Sequence, residues 1–239
     1  MLKYFLLLSA AISFAGGPAH EPEDIDFKKV KGKKVVKLLH GYELESAEDI
    51  AALAPSCYED NDSLSYSSHT KVMEVDAGID VVWSTYKSIS PTEDNKNKVR
   101  FGLLFSPDPN TLSYSADTYD GIKEGQIVFW NLKFMLGLIK VPVGQKIMEV
   151  NNDEKFIKIC YLAQGKSHGT QYIQLYPTED SKTKIVHYTR YKSASKFRDK
   201  RLYPMFHNKA VTEFHEDVIH EVMQQKEVKE DSHNNVSSN

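Results

Sequence analysis

Between Gly125 and Lys192 the chain alternates apolar and polar residues with the period of two that marks half-buried strands. Over residues 126–135, Val128, Trp130, Leu132 and Phe134 make one apolar face. Strand-like segments follow at Val141 to Val150, Lys155 to Ala163, Gln171 to Tyr176 and Lys184 to Tyr191. Their separators are Asn151-Asn152-Asp153, Gly165 to Gly169 and Pro177 to Ser181. Loops of that length join antiparallel neighbours, so the pattern predicts a meander. The period then changes. From about His207 to Gln225, Val211, Phe214, Val218 and Val222 fall on one helical stripe, with His207 in line a turn earlier.

Upstream, Leu64 to Asp76 reads as a half-exposed strand, with Tyr66, Ser68, Thr70 and Val72 alternating against Ser67, His69, Lys71 and Met73. Gly78 to Ile89 switches to helical spacing, placing Ile79, Val82, Trp83 and Tyr86 on one face until Pro91 and the polar run Thr92 to Lys98. Val99 to Phe105 reads as a strand that ends at Pro107, Asp108, Pro109 and Asn110. Residues 113–124 carry no clear period. The pattern as a whole predicts an α+β fold: a curved antiparallel sheet wrapped around a long C-terminal helix.

The segment 20–63 differs in composition from the rest of the chain and reads as an extension of a main domain spanning 64–225. It crowds Lys28, Lys29, Lys31, Lys33, Lys34 and Lys37 around Val30, Val35 and Val36. A short helix comes next, with Ser46 as its cap, Asp49 three residues on, and Pro55 beyond its end. Asn61-Asp62-Ser63 punctuates the boundary. Residues 226–239 are polar and aperiodic and read as a disordered tail. No internal repeat is visible.

Composition narrows the function classes modestly. The 239 residues are 41% hydrophobic with a net charge of -3, which gives a globular core and no overall electrostatic footprint for nucleic acid. Lys3, the apolar run Tyr4 to Phe14 and the small residues after it resemble a secretory signal, cleaved near Ala15 or Ala19 and spanning 1–19. The expected location is therefore secreted or periplasmic. An oxidising compartment would let Cys57 and Cys160 pair, although two buried thiols remain the alternative reading. The lysine cluster Lys28 to Lys37 offers a peripheral contact with an anionic membrane, against the plainer reading of a solvated face. No pattern speaks to oligomeric state.

The order strand, helix, meander and long C-terminal helix resembles the START-like (SRPBCC) superfamily, the fold of the birch-pollen allergen and the polyketide cyclases. The resemblance covers about Leu64 to Gln225. Val75-Asp76-Ala77-Gly78-Ile79-Asp80-Val81-Val82-Trp83 looks like that family's first strand turning into its early helix. Phe197-Arg198-Asp199-Lys200-Arg201-Leu202-Tyr203-Pro204, leading to His207 and Phe214-His215, looks like its entry into the last helix. The resemblance implies a helix-grip architecture enclosing a hydrophobic cavity, in a family that holds both carriers and enzymes. The extension and the signal depart from the family's compact cytosolic form and leave the ligand unnamed.

Candidate chemistry can be read from these placements. A ligand between sheet and helix would meet Trp130, Leu132, Phe134, Tyr172, His187, Tyr188, Arg190, His207, Val211, Phe214 and Val218. His207 is a polar handle on an apolar stripe or a satisfied core histidine, and Arg190 or Arg198 could hold a carboxylate or phosphate. Gly165-Lys166-Ser167-His168-Gly169 matches a nucleophile elbow in letters, but strands flank it where that motif needs a strand-to-helix turn. His215 and His220 stand five apart, which turns them roughly 140° from each other and splits them as a metal pair. Neither a catalytic set nor a metal or cofactor site is indicated. The leading expectation is a non-catalytic exported domain that binds a hydrophobic or amphipathic small molecule or lipid. The alternatives are an enzyme of the same fold, a cyclase, hydrolase or lyase using a cavity His or Tyr, and a ligand-free envelope interaction protein.

Overall fold

A computed structural model describes residues 23–60, 65–90, 99–115 and 117–236, with side chains to 228 apart from 136. The expected signal segment, the Asn61-Asp62-Ser63 boundary, and Pro91 with the whole polar run Thr92 to Lys98 lie outside the described residues. The elements are α1 (Lys33–Gly41), α2 (Ala47–Ala51), β1 (Pro55–Ser56), β2 (Ser67–Val75), α3 (Ile79–Ser88), β3 (Val99–Ser106) and β4 (Thr111–Ser113). Then come β5 (Ile127–Phe134), β6 (Ile139–Asn151), β7 (Phe156–Leu162), β8 (Ser167–Pro177), β9 (Thr183–Ser193) and α4 (Tyr203–Val236). They build one nine-stranded sheet in the order β2-β9-β8-β7-β6-β5-β3-β4, with β1 added alongside β7.

Every pair in the sheet is antiparallel, and β5 to β9 form the meander that the alternation predicts. The first long strand closes against the last, with His69 opposite Thr189 and Lys71 opposite His187. Register shifts between Phe101 and Leu103 and between Ile147 and Glu149 mark irregularities that bend the strands carrying them. At the corner into α3, Thr183 Oγ1 donates to the Ala77 carbonyl at 2.7 Å, tying helix to sheet.

Two layers cover the sheet, one on each face. On the inner face α3 and α4 bury Val75, Val82, Trp83, Ile147, Ile157, Ile173, Leu175, Ile185, Val218 and Val222 together. On the outer face the N-terminal segment covers one half of the sheet. Val35 and Leu39 of α1, with Leu44 and Ile50, pack against Leu103, Phe105, Ile127, Phe129 and Leu162. Glycine lets α1 and its neighbours approach closely. A Cβ at Gly102 would stand 3.0 Å from Val35 Cγ1 and 2.8 Å from the Phe129 carbonyl, and one at Gly144 would stand 2.5 Å from Leu162 Cδ1.

The lysine-rich stretch is a turn that leads into α1, and its lysines face solvent. Lys28, Lys29, Lys31, Lys33, Lys34 and Lys37 are exposed, while Val35 and Leu39 are fully buried beneath them. α2 begins with the expected capping box: Ser46 Oγ accepts from the Asp49 amide at 3.2 Å, and the Asp49 carboxylate accepts from the Ser46 amide at 2.9 Å. Cys57 and Cys160 are bonded to each other, joining the extension to β7 across 103 residues of sequence.

Two outcomes differ from the sequence reading. The helix expected from about His207 to Gln225 begins at Tyr203, directly after a π-helical turn at Arg198–Leu202, and continues to Val236. Of the stretch read as a tail, Lys226 to Val236 therefore extends the helix, and 237–239 lie outside the described residues; its Lys and Glu residues are good helix formers despite their polarity. Gly165 to Gly169 forms the β7–β8 hairpin and the start of β8, so Ser167 is a strand residue away from any strand-to-helix turn.

Candidate functional site

The inner face joins its strands to its helices through polar side chains. In β8, Gln171 shares a face with Ile173 and Leu175; in β9, His187 shares one with Ile185, Thr189 and Tyr191. α4 lays His215 over them on the stripe of Val211, Val218 and Val222, and α3 brings Tyr86 from the other side. All are buried: His215 is 0% exposed, His187 3% and Gln171 7%.

These side chains form one continuous hydrogen-bonded relay. Tyr86 Oη lies 2.5 Å from His215 Nδ1, and His215 Nε2 lies 2.9 Å from His187 Nδ1. His187 Nε2 lies 2.9 Å from Gln171 Oε1, Gln171 Nε2 donates to Tyr161 Oη at 3.0 Å, and Tyr161 Oη bonds to Tyr203 Oη. An amide oxygen only accepts, so His187 must carry its proton on Nε2. Its Nδ1 is then an acceptor, His215 donates from Nε2, and Tyr86 donates to His215 Nδ1. Both imidazoles are neutral in this arrangement, and every ring nitrogen is used.

The electrostatics agree. Burial, reinforced by the charges of Lys71 and His207, holds the His215 imidazole down at about 3. Burial and then the neighbouring His215 and His69 push His187 well below the ordinary imidazole value. Burial likewise raises the Tyr86, Tyr161 and Tyr203 phenols.

A second polar group flanks the relay. His207 Nε2 lies 3.3 Å from Thr189 Oγ1, and His207 Nδ1 lies 3.3 Å from His69 Nδ1. The Tyr203 ring stacks on His207 at 4.9 Å and on Tyr191 at 3.6 Å. Burial, and after it His187 and His69, pushes His207 well down. His69 and Lys71 enter from β2, on the half-buried side of its alternation.

Not every residue expected in the cavity sits together. Trp130, Leu132, Phe134, His187, His207, Val211, Phe214 and Val218 lie on or over the inner face; Phe134 packs on Phe206 of α4 at 4.4 Å, and Phe214 faces Tyr86 at 6.1 Å. Tyr172, Tyr188 and Arg190 do not join them. They alternate with Gln171, His187 and Thr189 along their strands, and a period of two sends them to the outer face. There they line a hollow of about 350 Å³ with Tyr58 and Asp60. Another hollow, of about 490 Å³, runs along α4 at Glu221, Gln224, Gln225 and Val228. Neither lies between sheet and helix, where the relay and its neighbours occupy the interior.

The relay itself was missed by sequence reasoning. Its signals were Gln171 in phase with Ile173 and Leu175, and His215 at the i+4 position from Val211 and i−3 from Val218. Weighing His215 only as a metal partner of His220 hid that placement; His220 is exposed and bonds to Gln224 at 3.0 Å.

No family model matches the chain, and no curated protein matches it. Solved structures do. A protein from Thermus thermophilus superposes with a TM-score of 0.50 at 12% identity, over 66% of this chain and 99% of that one. A norcoclaurine synthase from Thalictrum flavum, in complex with dopamine and hydroxybenzaldehyde, gives 0.45 at 14% identity over 72% and 96%. The Zhui aromatase/cyclase from Streptomyces sp. R1128 gives 0.45 at 11% identity over 67% and 95%. With its first long strand closing beside its last and a 34-residue C-terminal helix laid across the inner face, this chain has a helix-grip fold, similar to that of the Thermus thermophilus protein.

Proposed function

We propose that the protein is a non-catalytic binding domain that takes up an amphipathic small molecule or lipid between the sheet and α4. The observation that carries this reading is the division of the inner apolar core into two clusters. The apolar residues under α3 and the end of α4 form one cluster. Phe101, Leu104 and Val128, with the partly buried Tyr119 and Trp130, form another. α4 rests on the polar relay as well, which begins at Tyr86 within the first cluster. A ligand with an apolar body would lie along Trp130, Leu132 and Phe134, and His69 and Lys71 would present donors to its polar group. An anionic head, such as a carboxylate, suits that donor-rich set.

Binding is preferred to catalysis because both ring nitrogens of His187 and of His215 are already committed within the relay. His207 is engaged in the same way, with Nε2 on Thr189 Oγ1 and Nδ1 facing His69 Nδ1. Export belongs to the same proposal and is supported by the Cys57–Cys160 bond, which suits an oxidising compartment. The exposed lysines of α1 would favour residence at an anionic surface.

Native mass spectrometry of the protein from its own host, with extraction of the same sample, tests the reading. A stoichiometric adduct of lipid or small-molecule mass, reduced by Trp130→Ala, supports it. An adduct-free mass together with no uptake of apolar fluorescent probes rejects it. Turnover of the extracted molecule that disappears in His207→Ala would replace it with the enzyme reading.

A further inference from the structure

The hollow on the outer face is built as a site, and it lies on the opposite side of the sheet from the ligand proposed for the grip. Its floor is aromatic. Tyr172 and Tyr188 form it across β8 and β9, with ring centroids 6.1 Å apart and planes 23° from each other, and Phe156 of β7 continues the row beside Tyr172 at 5.9 Å. Its wall is Tyr58, which comes directly after the disulfide at Cys57 and is held to β8 by its amide donating to Thr170 Oγ1 at 2.8 Å. Arg190 Nη2 donates to Tyr58 Oη at 2.9 Å, and the guanidinium carbon lies 4.7 Å from the Tyr58 ring and 6.0 Å from that of Tyr188. Asp60 completes the rim.

We infer that this hollow binds a neutral saccharide. A pyranose ring has a face of C–H groups that packs on an aromatic surface and a rim of hydroxyls that each donate and accept. The hollow offers both complements: Tyr rings for the face, and Arg190, Asp60 and the phenolic hydroxyls for the rim. Its volume of about 350 Å³ lies at the small end of ligand sites and suits a mono- or disaccharide. The alternatives fit less well. A phosphate or nucleic acid strand would meet the Asp60 carboxylate with Arg190 as the one cation among the lining residues. A purely apolar molecule would leave that same charged pair and the phenols desolvated without partners. The site is also held before any ligand arrives, because the disulfide and the Thr170 bond fix Tyr58, and Tyr58 fixes Arg190.

Amide chemical-shift titration of the full chain with cellobiose, maltose and N,N′-diacetylchitobiose tests the inference. At least one sugar is expected to shift the Tyr58, Tyr172, Tyr188 and Arg190 amides while leaving those of α4 in place. Tyr172→Ala should weaken that binding by about tenfold or more, and Tyr172→Phe, which keeps the ring, should largely retain it. Melting curves on both variants confirm that the sheet is intact. The inference is overturned if no sugar moves these amides at millimolar concentration, if Tyr172→Ala binds as well as the parent, or if inorganic phosphate or oligothymidylate perturbs the same residues more strongly. An adduct retained in the grip with the outer hollow silent would reject this site and leave the grip proposal standing.

Discussion

On the outer face, Leu103, Phe105, Ile127, Phe129 and Leu162 meet the N-terminal segment with carbon on both sides, and a disulfide closes the layer. On the inner face, a turn of the same pleat away, α4 is seated through His215, His187, Gln171 and the tyrosines. The outer layer gains from area removed from water, a term indifferent to direction and nearly indifferent to pH. The inner layer depends on a chain of directional bonds, all satisfied while its histidines are neutral. One sheet therefore carries a pH-insensitive cover and a proton-sensitive grip. A proton-sensitive contact suits the proposal that α4 yields to a ligand.

The comparison is broken most severely on the outer side. Replacing Cys57 and Cys160 by Ser opens a ring of 103 residues, and the chain-entropy account puts the loss at about 4–5 kcal/mol. Equilibrium denaturation should show it, with the same deficit at pH 5 and pH 8. Leu39→Ala removes a fully buried side chain of the outer cluster and should cost about 3 kcal/mol, again with no dependence on pH.

The inner side should respond to acid. The His215 imidazole is held at about 3 in the folded chain against 6.5 when free. A depressed histidine binds its proton preferentially in the unfolded state, so its contribution is intact above pH 6.5 and is lost as pH falls from there towards 3. Between pH 6.5 and 4.5 this histidine alone should remove about 2–3 kcal/mol, with His187 and His207 acting in the same direction. His215→Leu should lower stability at neutral pH by leaving Tyr86 and His187 unpaired, yet flatten the slope below pH 6.5. An unchanged slope in that variant would remove His215 from the account. The smallest effect belongs to α2, where Ser46→Ala loses the capping box and should lower the melting free energy by about 1 kcal/mol.

The fold was largely legible because its strongest signals are local. Period-two runs located β5 to β9, and helical spacing with Tyr86 and Trp83 located α3. The Ser46 and Asp49 pair located α2. α1 was hidden because Lys33, Lys34 and Lys37 outnumber its buried Val35 and Leu39, and a charge run masks a two-residue stripe. The site was half legible. Alternation alone places Tyr188 and Arg190 opposite His187, but grouping residues by chemistry obscured that parity. The relay joins residues from α3, β7, β8, β9 and α4, so its assembly depends on which strand pairs with which and where the helix crosses. Strand order is a long-range property, and spacing within one segment does not carry it.

The contrast between the faces rests on the neutrality of two buried imidazoles, and nitrogen-15 spectra of the histidine side chains at pH 5 test that directly. The account predicts that His187 and His215 remain neutral there, each with its proton on Nε2. Imidazolium signals for these residues at pH 5 in the folded protein would contradict it and leave the inner face without its proton-sensitive grip.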